Sequence, residues 1–312
     1  MMSDMEMAER DNHEELGRKP ILQHDPGHDE NGGLHTMVEG AVRLVTMLNF
    51  MKVELGEYKS LKSKEQWRST GVEFLATLLF VYLGCGSVVA SGVLETELTS
   101  ARLTVIALAH GLAITFLVAS TGAISGGHIN PVVTLAFVVA GKENIIRGSL
   151  YIAAQLVGGI CGAALLGASI PAADLGHLGT HSLGHGTSVG NAFLMELMLT
   201  FTLVYVIFGV AVDRRGPGVI APIPIGLVVV VDHLVGVPFT GASMNPARSF
   251  GPAVVSGIWP QEHWVYWVAP SLGSALAAVI YRYIIMGTTY KPPEAAAMIT
   301  PGPGRKSMSA AI

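Results

Sequence analysis

Charge is scarce in this chain of 312 residues: 13% are Asp, Glu, Lys or Arg, while 50% are hydrophobic. That balance excludes an ordinary soluble domain and fits a helical protein that crosses a membrane several times. Cysteine is nearly absent. Cys85 and Cys161 are the two present, and both sit in apolar runs, where they are expected to pack as small hydrophobes rather than form a disulfide. A concentrated basic face is also missing, the formal net charge being -4, which argues against a nucleic-acid partner. No metal-ligand spacing, nucleophile with base or phosphate-cradling glycine loop appears in a wet context, so no enzyme, metal or cofactor is expected. The N-terminus is polar and the first strong apolar run starts near residue 72, so no cleavable signal peptide is expected.

What is present is apolar sequence in six stretches, at about 70-92, 103-122, 145-169, 190-212, 219-237 and 263-286. Each approaches the roughly 20 residues that a spanning helix needs. An even number of spans puts both termini on one side. Short loops with Lys142, Arg147, Arg214 and Arg215 alternate with loops carrying Glu95, Glu97, Asp174 and Glu262, Arg102 and Arg248 being exceptions there. The excess of basic residues on one side makes the termini cytoplasmic.

One pattern occurs twice between these stretches, as Gly126-Gly127-His128-Ile129-Asn130-Pro131-Val132 and as Gly241-Ala242-Ser243-Met244-Asn245-Pro246-Ala247. Asn is a good helix N-cap and Pro a good first helical residue, so each reads as an irregular approach followed by a helix start. Irregular backbone at membrane depth persists only where it is buried in protein or lines a wet cavity. Glu73 with Thr77 in the first span is echoed by Glu196 with Thr200 in the fourth. These two glutamates are read as the acidic residues well inside spans, where a carboxylate is a functional candidate. Three spans per half invert the second half, so the special segments should meet near the midplane with the positive ends of two half-helices facing. The fold class expected is therefore an all-α membrane protein, six transmembrane helices plus two re-entrant half-helices in an inverted repeat. Gly158, Gly159 and Gly162 in the third span are read as close helix contacts.

The ends differ from the middle. Residues 1-35, polar and carrying His13, His24, His28 and His35, read as a disordered cytoplasmic tail. Over 36-69, Met37, Ala41, Leu44, Leu48, Met51 and Leu55 recur at helical spacing opposite Glu39, Arg43, Lys52 and Glu54. That stripe predicts an amphipathic cytoplasmic helix and linker. The spans occupy 70-286, and 287-312 reads as a C-terminal cytoplasmic tail.

On the paired Asn-Pro segments, the paired glutamates, Gly126-Gly127-His128 and Asn245-Pro246-Ala247-Arg248-Ser249-Phe250, residues 70-286 resemble the aquaporins, the major intrinsic protein family. Ala221-Pro222-Ile223-Pro224-Ile225-Gly226 and Thr240-Gly241 are similar to the plant plasma-membrane type, whereas Ala109-His110-Gly111-Leu112-Ala113 and Thr180-His181-Ser182 are similar to the tonoplast type. Such a mixture suits an algal or early-diverging plant homologue. One departure is Val132, where the family usually has Ala.

The resemblance implies a passive water channel that excludes protons and ions, with ammonia as a second permeant. Exposed carbonyls of Gly126, Gly127, His128, Ile129, Gly241, Ser243 and Met244 would accept from the water file, and the amides of Asn130 and Asn245 would donate at its centre. The selectivity filter maps onto His110, His233, Ala242 and Arg248, with His181 reaching it from a loop; His110 replaces the usual Phe. Glu73 and Glu196 would anchor the re-entrant loops. The resemblance also implies a homotetramer in a lipid bilayer, with the plasma membrane favoured over the vacuole. Two alternatives stay open: a neutral-solute facilitator for ammonia, urea or glycerol with water secondary, and a proton-coupled secondary transporter using Glu73 or Glu196.

Overall fold

The computed structural model describes residues 53–184 and 186–287. These lie in one compact unit, Met47–Ile312; the other, Met1–Thr46, falls wholly outside them. No strand occurs among the described residues. Among the described residues eight α-helices carry the fold: α1 Lys64–Leu94, α2 Ser100–Ser125, α3 Pro131–Val139, α4 Ile145–Ser169, α5 Val189–Ile207, α6 Pro222–Thr240, α7 Pro246–Ser256 and α8 Val265–Val279. Extended by short terminal turns, α5 reaches Val212 and α8 runs from Gln261 to Ile285. Together with α1, α2, α4 and α6 they make six helices long and apolar enough to cross a membrane.

Local chemistry sets the boundaries. The hydroxyls of Ser63, Thr99 and Ser188 and the amide oxygen of Asn144 each accept a main-chain N–H in the first turn that follows, which satisfies donors a helix start leaves free. The Ser63 cap starts α1 six residues ahead of the apolar run expected from 70, because Lys64, Glu65 and Arg68 extend the helix without being apolar. The fifth span is displaced the other way. Pro222 opens α6 and Gly241, left-handed at φ 85, closes it, so the helix runs three residues later than the hydropathy at 219-237 suggests.

The two halves pack alike in opposite senses. α1 lies on α4 and α5 on α8, while half-helix α3 packs on α8 and α7 on α4. Close approach depends on glycine in α4: a Cβ on Gly158 would lie 2.4 Å from the Phe74 carbonyl oxygen and one on Gly162 2.3 Å from that of Leu78. Gly159 meets the Ala247 carbonyl oxygen in the same way, at 2.5 Å, so the expectation for all three holds. Even single bonds repeat. Tyr151 Oη donates to the Ser125 carbonyl at 3.0 Å, and Tyr266 Oη to that of Thr240 at 2.9 Å.

The expected amphipathic stripe from Met37 to Met51 lies outside the described residues, as do His13, His24, His28, His35 and most of the C-terminal tail. Its last member, Leu55, is corrected: it belongs to a non-helical stretch and is 67% exposed. The reason is local. The carbonyls of Glu54 and Leu55 accept from the free N–H groups of Ile145 and Ile146 at the start of α4, at 3.0 and 3.1 Å, and Gly56 supplies the left-handed turn at φ 90. Cys85 and Cys161 are both free, the first buried and the second half-buried.

Candidate functional site

Asn130 and Asn245 cap α3 and α7 from inside the protein. Asn130 Oδ1 accepts from Val132 N at 3.0 Å, and Asn245 Oδ1 from Ala247 N at 3.0 Å. Capping with the oxygen leaves each amide nitrogen to point onward. Asn130 Nδ2 donates to the Met244 carbonyl at 2.8 Å and Asn245 Nδ2 to the Ile129 carbonyl at 3.0 Å, so each half-helix start is stitched to the loop before the other. This modifies the expectation for the amides: one of the two hydrogens on each nitrogen is spent within the protein, leaving one for a permeant. The approaching loops are held in unusual backbone. Ile129, Ala242 and Met244 are left-handed, at φ 58, 56 and 51, a conformation that costs a residue with a Cβ roughly 1–2 kcal/mol.

Glu73 and Glu196 supply the compensating bonds. Glu73 accepts from Ser125 Oγ, His128 N, Ile129 N and Gln155 Nε2 at 2.6 to 3.0 Å. Glu196 accepts from Thr240 Oγ1, Ser243 N and Met244 N at 2.7 to 2.9 Å. Both carboxylates are fully buried. Their oxygens are occupied by donors of the re-entrant segments, of the last residues of α2 and α6 and, for Glu73, of α4.

A cavity of about 480 Å3 runs from Asn130, Asn245 and His233 to Gly218, Val219 and Pro222 at the other end. Beyond the asparagines the chain brings four basic side chains together. His110 and His233 lie with ring centroids 4.2 Å apart, and each Nδ1 bonds a carbonyl four residues back, of Ile106 and Val229, at 2.9 Å. A carbonyl only accepts, so Nδ1 carries the hydrogen and Nε2 is the acceptor in both rings. Arg248 Nε donates to His110 Nε2 at 3.4 Å, and its Nη1 donates to the Gly179 carbonyl at 2.6 Å. His233 Nε2 has no partner within the protein.

His181 arrives from the loop between α4 and α5 and is buried. Its Nδ1 bonds Ser249 Oγ at 2.8 Å, its ring lies tilted against Tyr266 with centroids 5.0 Å apart, and its Nε2 has no protein partner. Gly241 makes the space, since a Cβ there would lie 2.5 Å from the ring. Burial, then Arg248 and the other imidazoles, hold His181 well below the usual histidine range, so it is neutral at pH 7. His177, by contrast, is exposed. Ala242 is buried against Gly236, and Val132 is buried beneath Asn130.

The chain matches the family profile described as Major intrinsic protein over residues 60–281. It belongs to that family. Among the similar proteins are a probable aquaporin TIP3-2 of Arabidopsis thaliana, 45% identical over 235 residues that cover 72% of this chain and 86% of that one, and the human Aquaporin-5, 46% identical over 228 residues, 73% of this chain and 84% of that one. An aquaglyceroporin structure from Plasmodium falciparum superposes with a TM-score of 0.64 at 26% identity, covering 70% of this chain and 97% of that one. This member of the major intrinsic proteins is therefore an integral membrane channel and not an enzyme.

Two residues at the site escape the sequence reading. Gly84 faces His110, and a Cβ on it would lie 2.7 Å from His110 Nε2; one glycine among 37 carries no signal of that. Asp232 is the larger omission. It is a third buried acidic residue inside a span, 3% exposed on α6, with Oδ2 lacking any partner. An Asp within Val228-Val229-Val230-Val231-Asp232-His233 breaks the apolar run and is legible from that pattern. Gly236, one turn on, packs against Leu199, so Asp232 stands on the apolar face of α6. An unpartnered buried polar group costs about 1–3 kcal/mol. Asp232→Leu is expected to raise thermal stability by an amount of that order, read as the melting temperature of purified protein; a drop of similar size means that the carboxyl is used.

Proposed function

We propose that this chain is a passive water channel in which each protomer conducts a single file of water past Asn130 and Asn245 and through a constriction of His110, His233, Ala242, Arg248 and His181. The observation that carries this is the crossed pair of amide bonds between the half-helices, which sets two helix N-termini at one end of the cavity that runs from Asn130, Asn245 and His233 to Gly218. Two N-termini concentrate partial positive charge there, and Arg248 adds a full one, so protons and cations meet a barrier while neutral water exchanges hydrogen bonds with amides and carbonyls. A carrier driven by protons needs an exchangeable carboxyl. Glu73 and Glu196 instead spend their oxygens on the loops, which favours anchoring. Carbon-chain solutes such as glycerol meet three imidazoles and a guanidinium, with little apolar wall.

Ammonia as a second permeant is favoured by the burial of neutral His181 beside Arg248. His110 accepts from Arg248 Nε, where a Phe would offer only an apolar wall; the bare Nε2 of His233 is an acceptor for a small donor molecule, and that of His181 is a further unpartnered polar atom. The proposal extends to residues 70-286 as the channel, flanked by the cytoplasmic segments 1-35, 36-69 and 287-312, in a homotetramer of the plasma membrane. The positive loops put both termini inside.

Purified protein in liposomes is expected to speed osmotic shrinkage with a low activation energy, and to pass ammonia, read as internal alkalinisation. His110→Phe should cut ammonia flux more than water flux, and His181→Ala should lower ammonia flux alone. Shrinkage no faster than in empty liposomes overturns the water reading; ammonia flux at the lipid background between pH 6 and 8 removes the second permeant.

A further inference from the structure

A second cavity lies off the conducting path. It measures about 460 Å3 and sits between the outer end of α1, the start of α2 and the loop that carries His181. Its polar wall holds Arg102, Asp174 and exposed His177, and its apolar wall is built by Val88, Val89 and Val93. Arg102 and Asp174 line the same space without pairing: the guanidinium donates to the main-chain oxygens of Thr96 at 2.8 Å and Val88 at 3.4 Å, and its Nε has no partner. Gly92 lets Arg102 lie flat, since a Cβ there would be 2.8 Å from Nη2. A fixed cation, a free carboxylate and an aliphatic wall around a few hundred cubic ångströms are the parts of a small-molecule site.

The chemistry selects the ligand. A planar guanidinium suits a carboxylate, Asp174 suits an ammonium, and the valines suit an aliphatic chain. The geometry points to this cavity as a binding site for a small zwitterion with an apolar side chain, an aliphatic α-amino acid, which adjusts the conducting constriction from outside it.

The coupling runs through Gly179. That residue lines the cavity, and its carbonyl is the acceptor for Arg248 Nη1 at 2.6 Å. The next two residues also grip the pore side, Thr180 bonding Ser256 Oγ at 3.2 Å and His181 bonding Ser249 Oγ. Leu178 and Gly179 are successively left-handed, at φ 51 and 70, and the Leu178 side chain is buried. A non-glycine residue in that conformation is strained, so the segment is held by its contacts rather than by local preference. Gly179 already packs on Cys85 and Val88 of α1, so a ligand bridging Arg102 and Asp174 turns this segment along α1 rather than toward it, redirects the Gly179 carbonyl, and moves Arg248 away from His110. The constriction widens.

L-leucine is the probe, with isovalerate and isoamylamine as analogues that each lack one charge. Calorimetry on the purified full chain should show leucine binding and no binding of either analogue at equal concentration. In proteoliposomes, external leucine at millimolar concentration should speed osmotic shrinkage about twofold, a shift that requires only a modest preference for the wider state. Asp174→Asn and Arg102→Gln should lose the leucine response while keeping leucine-free permeability. If Arg102→Gln does not fold, judged by melting, Asp174→Asn decides. Absence of leucine binding to the unaltered chain overturns the site, and so does binding that survives in Asp174→Asn. Binding with no change in flux overturns the coupling to Arg248. Because calorimetry does not depend on conduction, a chain that binds leucine but passes no water leaves the site standing and sinks the water-channel reading instead.

Discussion

Arg248→Val is expected to raise the flux of small uncharged solutes such as urea about tenfold while water flux changes little. Tenfold corresponds to about 1.4 kcal/mol of barrier, the net worth of a single hydrogen bond to a charged group. Arg248 is buried, and its side chain reaches Gly179 on one side and His110 on the other, so a valine removes both bridges and leaves the space between them to a permeant. The charge goes as well. A cation conductance above that of the parent should appear, because the half-helix N-termini then oppose ions alone. Stopped-flow shrinkage in a urea gradient, with voltage-clamp currents on the same variant, reads both effects. An unchanged solute profile with normal folding means that Arg248 does not define the narrowest point.

Glu73→Leu is expected to abolish the folded channel, and Glu196→Leu to weaken it severely but less. Removing the Glu73 carboxylate strands the main-chain N–H groups of His128 and Ile129 and takes one acceptor from Ser125 Oγ and Gln155 Nε2, which keep the Thr121 carbonyl and Thr134 Oγ1. Each buried donor left without a partner costs about 1–3 kcal/mol, so the two stranded N–H groups, with two weakened side chains beside them, remove a large part of the roughly 5–15 kcal/mol by which proteins are typically stable. Loss of Glu196 strands the N–H groups of Ser243 and Met244 and weakens one side chain, Thr240, rather than two, since no amide side chain stands where Gln155 does: the residue one turn after Tyr266 is Pro270, whereas one turn after Tyr151 it is Gln155. Thermal melting in detergent should rank the parent above Glu196→Leu and that above Glu73→Leu. A Glu73→Leu protein that melts within a few degrees of the parent would show that the first re-entrant loop is held by packing alone.

The polar cores of both loops were legible because their parts are rare in apolar sequence. A glutamate inside a span, or Asn-Pro between two spans, is too costly at membrane depth to be there without partners, and the doubling of each removed coincidence. The crossing of the two amides was not legible. Nothing in either segment says that Asn130 reaches Met244 and Asn245 reaches Ile129; that follows from how closely α3 and α7 abut. The same limit explains Asp232. The Val-rich run marked a helix but not which of its faces met α5.

Composition, the six apolar runs and the repeated motif determined by themselves that this is an all-α membrane channel with an inverted repeat, because hydrophobic length and the need to satisfy main-chain polar groups in lipid leave few other folds. Only the tertiary structure decided what surrounds the constriction. That Gly84 leaves room for His110, that Gly241 admits His181, and that Gly179 ties Arg248 to a neighbouring cavity depend on contacts between residues 26 to 69 positions apart, the long-range packing that no local pattern encodes.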